Sequence, residues 1–478
     1  MDRIKSVYDS IRFKNRWTAP QGYRELLSLS LPLIFSNIAS TLMMFTDRVF
    51  LSRYSITSIA ASLPSGTMFF LLQSVFFGLV TYSGIFAAQY VGAGKPRRAA
   101  AALWQGLYFS LAVGVLLYSL FFVSEQIFQI AKHSPELIEE ETLYFNTLLV
   151  AVPLGLSMAT MSSFLSSLGR TRLVMWLTFA STGLNVPLDY LLIFGFDWGF
   201  LKLEPQGIFG AALATDISWG IGTLLFAYFC FKDSMEKEYG TRSMRQLDLP
   251  LMGRLIKYGY PSGMQLFLEV FAFVFFALAI GKLDAITLAA NSMALSIESL
   301  TFFPMMGMAQ AISIKVGHAI GKERPEDGQK AAISGIVLSS MYVFIMLMCF
   351  TLFPRFFLGI FTPEDLDPAT LEAIYRIGSI MLRFVVLYSF FDGVYVCCFG
   401  VLRGAGDVYF PMFAMGFWGV VGVVIPISIF FIMDIANIYT MWFSLVFYVM
   451  ALTVTFAWRF WSKKWMTKRV IERFDTMD

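Results

Sequence analysis

Long apolar runs, each ended by a short polar stretch, occupy the chain from about residue 25 to residue 461. Twelve such runs can be placed: 25–50, 58–91, 99–124, 143–168, 172–196, 205–231, 257–281, 287–316, 329–356, 375–402, 409–433 and 438–461. A helix that crosses a bilayer needs roughly 20 apolar residues, and each run supplies about that length. The expected fold is an all-α polytopic membrane protein.

The runs repeat. Leu31-Pro32 before a long apolar run recurs as Tyr260-Pro261. Ser58-Ile59-Ala60-Ala61-Ser62 recurs as Thr287-Leu288-Ala289-Ala290-Asn291, and Gly94-Lys95 recurs as Gly321-Lys322. Leu168-Gly169-Arg170 has its echo in Leu402-Arg403-Gly404. Two tandem halves of the same direction predict two six-helix bundles related by a parallel repeat, a plan used by transporters with the substrate path between the halves. The expected division is a cytosolic tail over 1–24, an N-lobe with helices 1–6 over 25–231, and a cytosolic linker over 232–256. A C-lobe with helices 7–12 over 257–461 and a cytosolic tail over 462–478 complete it.

Composition agrees. Apolar residues make up 57% of the chain and charged residues 14%, against about 25% charge in a soluble domain. The first residues are polar and basic with no apolar core, so they read as a cytosolic tail and not as a secretory signal. Most of the 36 lysines and arginines fall in the tails and in alternate loops, 94–98, 170–172, 232–257 and 315–330 among them. The opposite loops hold acidic stretches, Glu136 with Glu139-Glu140-Glu141, and Glu364, Asp365 and Asp367. The bias of basic residues towards the cytosol puts both termini there. Cys230, Cys349, Cys397 and Cys398 all sit within predicted spans and read as small apolar filler.

Acidic residues inside the spans are the informative exceptions. An ionisable group near the bilayer centre costs at least ~2.5–3.5 kcal/mol and is kept only if neutralised, paired or hydrated. Asp47, Asp189, Asp216, Glu269 and Asp392 fall well inside, Glu298 lies within the eighth span, and Asp284 and Asp434 lie at span ends. Asp47 precedes Arg48, which offers a structural ion pair as the plain alternative. Asn185 and Asp189 are four residues apart and share a helix face. A carboxylate beside an amide oxygen suits a proton or a hard cation such as sodium. Apart from Lys257 at its edge, no lysine or arginine accompanies Glu269 in its span, whereas Arg383 precedes Asp392 by nine residues. His133 and His318 lie in or beside loops and receive no role. There is no phosphate-binding loop, nucleophile elbow or zinc motif, so neither ATP nor a cofactor is expected. Seventeen per cent of the chain is aromatic, and part of that set can grip bulky cations. Met68, Phe69 and Phe70 in the second span, with Phe302, Phe303 and Met305 in the eighth, are the repeat-related candidates, although plain packing explains any one of them.

Together these landmarks resemble the multidrug and toxic compound extrusion (MATE) family along nearly the whole chain. The residues that carry the resemblance are Leu31-Pro32 with Asp47 fifteen residues on; Ala88-Gln89-Tyr90-Val91-Gly92-Ala93-Gly94; the run Asn185–Gly195; Gly207–Thr215; Leu288-Ala289-Ala290-Asn291; and Phe391-Asp392 leading to Gly400–Asp407. The resemblance implies an antiporter that exports organic cations in exchange for sodium or protons. It also implies two cation sites. One, in the amino-terminal lobe, matches Asp47, Asn185, Asp189 and Thr215; the other matches Glu269 and Asp392. Asn291, where many relatives have histidine, is a departure that adds a cavity candidate, and acidic Asp216 beside Thr215 is another. Pro32 is expected to mark a bend that helps switch the first helix. The implied partners are a small-molecule substrate, sodium or protons and the lipid bilayer, with no nucleic acid, and the chain is read as a monomer in the bacterial inner membrane. The rivals are a flippase for lipid-linked precursors, which would want a cationic cavity, and a membrane-embedded enzyme, which would want a nucleophile or metal set at membrane depth.

Overall fold

The computed structural model describes residues 16–130, 133–197, 199, 202–283, 285–360 and 368–473. Asp284, the acidic stretch Glu364, Asp365 and Asp367, and the outer parts of both tails lie outside them. Helices dominate: α1 (Tyr23–Tyr54), α2 (Ile56–Thr81), α3 (Ser83–Gly92), α4 (Pro96–Leu117), α5 (Pro135–Val150), α6 (Val152–Ser167), α7 (Thr171–Phe194) and α8 (Gly207–Phe231). After them come α9 (Asp233–Tyr239), α10 (Leu249–Ile280), α11 (Ala285–Gly321), α12 (Pro325–Leu352), α13 (Pro368–Ala405), α14 (Tyr409–Gly419), α15 (Ile425–Ile432) and α16 (Ile438–Trp461).

Among the described residues eleven helical stretches are each long and apolar enough to cross a membrane, and α5 with α6, bent by 49°, makes the twelfth. The bend follows from Pro153, which cannot donate to the carbonyl four residues back and so breaks the helix near Ala151. The fourth crossing therefore starts at Pro135, earlier than the run 143–168 suggests. A π-helical turn, Val420–Val424, joins α14 to α15 within another crossing. Local chemistry sets the boundaries. The Ser55 hydroxyl accepts from the N–H groups of Thr57 and Ser58 to start α2, and Asn437 with Thr440 forms a capping box at α16. Gly195, at φ 72°, ends α7 and opens the two-stranded hairpin Phe196–Asp197 with Lys202–Leu203. A Cβ there would lie 2.4 Å from the carbonyl oxygen of Leu203, so glycine is needed on both counts.

The chain folds into two compact units. One contains Phe35–Phe267 and the other the chain up to Ile34 with Leu268 onward. The first part of α1 thus belongs with α11–α16, and the first part of α10 with α2–α8. Glycines make this possible. A Cβ on Gly78 would lie 2.5 Å from Cα of Gly263, so α2 and α10 cross backbone to backbone in the first unit. In the second, a Cβ on Gly307 of α11 would lie 2.5 Å from Cγ1 and 2.8 Å from the amide nitrogen of Ile34 of α1. Small residues at helix crossings let backbones approach closely in lipid.

Each unit has its own apolar core. In the first it runs through Phe69, Phe145, Leu149, Leu156 and Ile193. In the second, Leu26, Leu29 and Leu33 of α1 join Ile297, Met305, Val396, Trp442 and Phe456. All four cysteines are free, Cys349 half-buried and the others buried. Residues 241–248 are tied to α4: Trp104 Nε1 donates to the Thr241 carbonyl at 2.5 Å, Gln105 Nε2 to that of Gln246 at 3.1 Å, and Arg98 pairs with Asp248 at 2.7 Å. The linker is a fastened strap.

Candidate ion-coupling sites

In the unit formed by Phe35–Phe267, aromatic rings set the register of α1 on α7. Phe50 meets Tyr190 at 6.0 Å and Tyr54 meets Phe194 at 6.2 Å, a parallel pairing. Asp47 is thereby level with the turn Asn185–Asp189. α8 runs antiparallel to α7, with Gly210 against the Leu192 carbonyl and Gly222 against Ser181. That register sets Asp189 beside Ala214 and Thr215. Four side chains chosen from the sequence thus meet on three helices. With its nitrogen turned to the carboxylates, Asn185 donates to Asp47 Oδ1 at 3.1 Å and to Asp189 Oδ2 at 2.9 Å. Thr215 faces Asp47. Asp189 and Asn185 are fully buried, and Asp47 and Thr215 are each 6% exposed.

Arg48 is exposed and forms no ion pair with Asp47 among the described residues. Asp47 turns instead to the second acid. Among the described residues no basic side chain pairs directly with the two carboxylates that this one amide joins; Arg48 acts on Asp47 only from a distance, and a proton or monovalent cation supplies what is missing. Pro187, between Asn185 and Asp189, also frees a backbone carbonyl in the preceding turn. Tyr144 of α5 lies within electrostatic reach of Asp47, Asp189 and Asp216. Asp216 is 8% exposed with Oδ1 unpartnered.

The second unit holds the other acids. Asp392 of α13 is 2% exposed and its Oδ2 has no partner. Glu269 of α10 and Glu298 of α11 act on it electrostatically. Tyr388, Tyr395 and Tyr448 share this neighbourhood. Arg383, the candidate counter-ion, is exposed while Asp392 is buried; nine residues of helix, about 13 Å, separate their backbones. No basic group is among those acting on Asp392.

The aromatic candidates divide. Phe69 is 7% exposed, stacked on Trp219 at 6.1 Å, and Met68 packs beside it in the core of the first unit. Phe70, on the same helix, is 43% exposed. Met305 is buried in the core of the second unit, while Phe302 and Phe303 are half-buried and meet edge to face at 5.7 Å. Asn291 is locked inside, its Oδ1 accepting from Trp442 Nε1 at 2.9 Å. Of these, Phe70, Phe302 and Phe303 keep a surface that another molecule could touch.

The MatE family profile matches residues 32–191 and again 261–428, starting in both halves at the repeated proline. The chain belongs to the MATE family. Curated relatives include a probable multidrug resistance protein NorM of Mesorhizobium japonicum, 27% identical over 85% of this chain and 86% of that protein. The multidrug resistance protein PmpM of Pseudomonas aeruginosa is 27% identical over 83% and 82%. Among solved structures, a multidrug resistance MATE family transporter in an outward-facing conformation superposes with TM-score 0.81 at 21% identity, covering 93% of this chain and 97% of that one. A MOP superfamily transporter from Pyrococcus furiosus gives 0.81, also at 21% identity, over 94% and 97%. This MATE-family chain is an integral membrane protein of two related six-helix bundles.

Sequence reasoning missed several polar neighbours of the MATE acids. Tyr388 and Ser389 lie four and three residues before Asp392 and share its helix face, so spacing alone could have found them. Tyr144 and Tyr448 come from other helices far along the chain, and no local pattern announces them. His133, which received no role, pairs with Glu141 at 2.8 Å.

Proposed function

We propose that this chain is a secondary active multidrug efflux antiporter, exporting organic cations in exchange for sodium or protons by alternating access. The observation that carries the reading is the pairing of Asp47 and Asp189 through Asn185, deep in an apolar lobe and, among the described residues, with no basic side chain in direct ion pair with either. Such a site has affinity for a small cation and no evident structural use for its charge. The Glu269–Asp392 neighbourhood offers a second place for the same exchange. Sodium or protons entering from outside drive export only if they bind one conformational state better than the other. Phe70, Phe302 and Phe303 are the available aromatic contacts for a substrate cation. The names of the curated relatives support the drug class. The setting is the bacterial inner membrane with both termini cytosolic, and the working unit is the monomer.

The mid-span charges are mostly acidic, which counts against a flippase for pyrophosphate-linked lipids. The deciding experiment reconstitutes the protein in sealed proteoliposomes holding a cationic dye. An imposed sodium gradient, or a pH gradient in sodium-free buffer, should drive dye movement against its own gradient. Dye flux that responds to neither gradient would refute the antiporter reading.

A further inference from the structure

Glu298 belongs to neither acidic set that the family resemblance implies, yet it lies on the same seam as Asp392. α11 and α13 run parallel. Their register is fixed by Gly393 against Met305, Gly400 against Ala309 and Gly404 against Ser313. Across this seam Thr301 Oγ1 and Ser389 Oγ meet at 3.2 Å. Glu298 stands three residues before Thr301 and Asp392 three residues after Ser389. The two carboxylates therefore sit about one helical turn to either side of a hydroxyl pair. Glu298 is 9% exposed with Oε1 unpartnered.

A second kind of group points to a ligand. Tyr448 of α16 is 6% exposed, and among the described residues its hydroxyl has no hydrogen-bond partner. It lies within electrostatic reach of Glu269 and Asp392. A buried hydroxyl left unsatisfied beside carboxylates is costly unless something polar arrives there.

Charge and geometry then constrain the count. Three carboxylates share one apolar lobe, and the groups acting on Asp392 are acidic. A single monovalent cation would leave two negative charges uncompensated. Nor can one ion be shared by all: among the described residues, no three acidic, histidine or cysteine side chains converge closely enough to ligate one metal ion together. Glu298 needs a partner of its own.

We propose that the C-lobe takes up two monovalent cations per transport cycle, one at Glu269 with Asp392 and a second at Glu298, passed along the Thr301–Ser389 seam. The remaining charge falls to the hydroxyl of Tyr388, within electrostatic reach of all three acids, and to that of Tyr448, within reach of Glu269 and Asp392. The inference rests on Glu269 and Asp392 being coupling acids. Sodium and protons are both monovalent, and the seam of oxygens suits either.

The test measures stoichiometry at static head. Full-length protein in proteoliposomes, with the membrane potential clamped at zero, builds a dye gradient equal to the cation gradient raised to the number of cations exchanged. For a tenfold cation gradient, Glu298→Gln should lower the final dye ratio about tenfold, the loss of one cation per substrate. Glu298→Asp should restore it. Parallel sodium-gradient and pH-gradient arms identify the ion that is lost. A Glu298→Gln protein that is slower but reaches the wild-type ratio overturns the proposal and leaves Glu298 a structural group. So does a wild-type protein that exchanges one cation per substrate, a result that needs no variant to fold. Glu269→Gln and Asp392→Asn should abolish gradient-driven export altogether. If both instead reach the wild-type ratio, the reading of the pair as coupling acids falls, and that failure is distinct from any result at Glu298.

Discussion

Asn185 holds two carboxylates with one amide, so its removal should be felt by the ion and not by the drug. Hydrogen bonds to charged groups contribute about 1.5–3 kcal/mol each. Asn185→Ala should therefore lower the half-saturating cation concentration for dye export by about tenfold or more, because the amide no longer competes with the cation for the two carboxylates, with dye binding little changed. A cation titration of export, set beside dye binding, checks both. Asp47→Asn keeps the shape and loses the charge; it should slow export and alter its pH or sodium dependence. Normal rate with an unaltered dependence would make Asp47 structural. Asp47, Asn185 and Asp189 are legible in the sequence because charge and amide within an apolar run are conspicuous, Thr215 enters only through the family resemblance, and the structure brings the four together. The aromatic candidates are less legible. A phenylalanine in an apolar run carries no sign of which way it faces, and Phe69 and Met305 turn inward while Phe70 does not.

At the scale of the helix, the prolines and glycines decide more than the apolar residues. Pro32 lies within α1, fifteen residues before Asp47, or about four turns. Proline removes one backbone hydrogen bond and eases bending there. Pro32→Ala should slow turnover more than it weakens substrate binding, which single-turnover export compared with dye binding will show. If binding falls and turnover per bound dye does not, the proline only shapes the helix. The glycine crossings carry a sterner prediction. A Cβ on Gly263 would stand 1.8 Å from the Val75 carbonyl oxygen, a contact that backbone cannot relieve by a rotamer change. Gly263→Leu should destabilise by at least the ~1–3 kcal/mol of ordinary overpacking. Fluorescence-detected size exclusion after heating should show a markedly lower midpoint, and an unchanged midpoint would mean that α2 and α10 do not cross there. Run lengths predict the crossings well. The bend in the fourth and the π turn at Val420–Val424 escape them, because hydropathy averages over a window in which one proline or one extra residue per turn is invisible.

For the molecule as a whole, the repeat is legible in the sequence because the same landmarks return in order, and the family profile finds both copies. What the repeat does not reveal is how the two copies are laced. The polypeptide passes between the compact units at 34/35 and again at 267/268, both times inside a helix and shortly after a repeated proline. The long polar loop, which looks like the natural seam, lies wholly within one unit and is strapped to α4. A cut at that loop would therefore not part the units. It would yield two fragments, each carrying the beginning of a helix that belongs to the compact unit formed mostly by the other. Residues 1–240 and 241–478 expressed as separate chains should copurify and resist dissociation in mild detergent, whereas either alone would lack the strand of backbone that completes its own packing. In the language of assembly, the single chain is a reciprocal exchange already tied together.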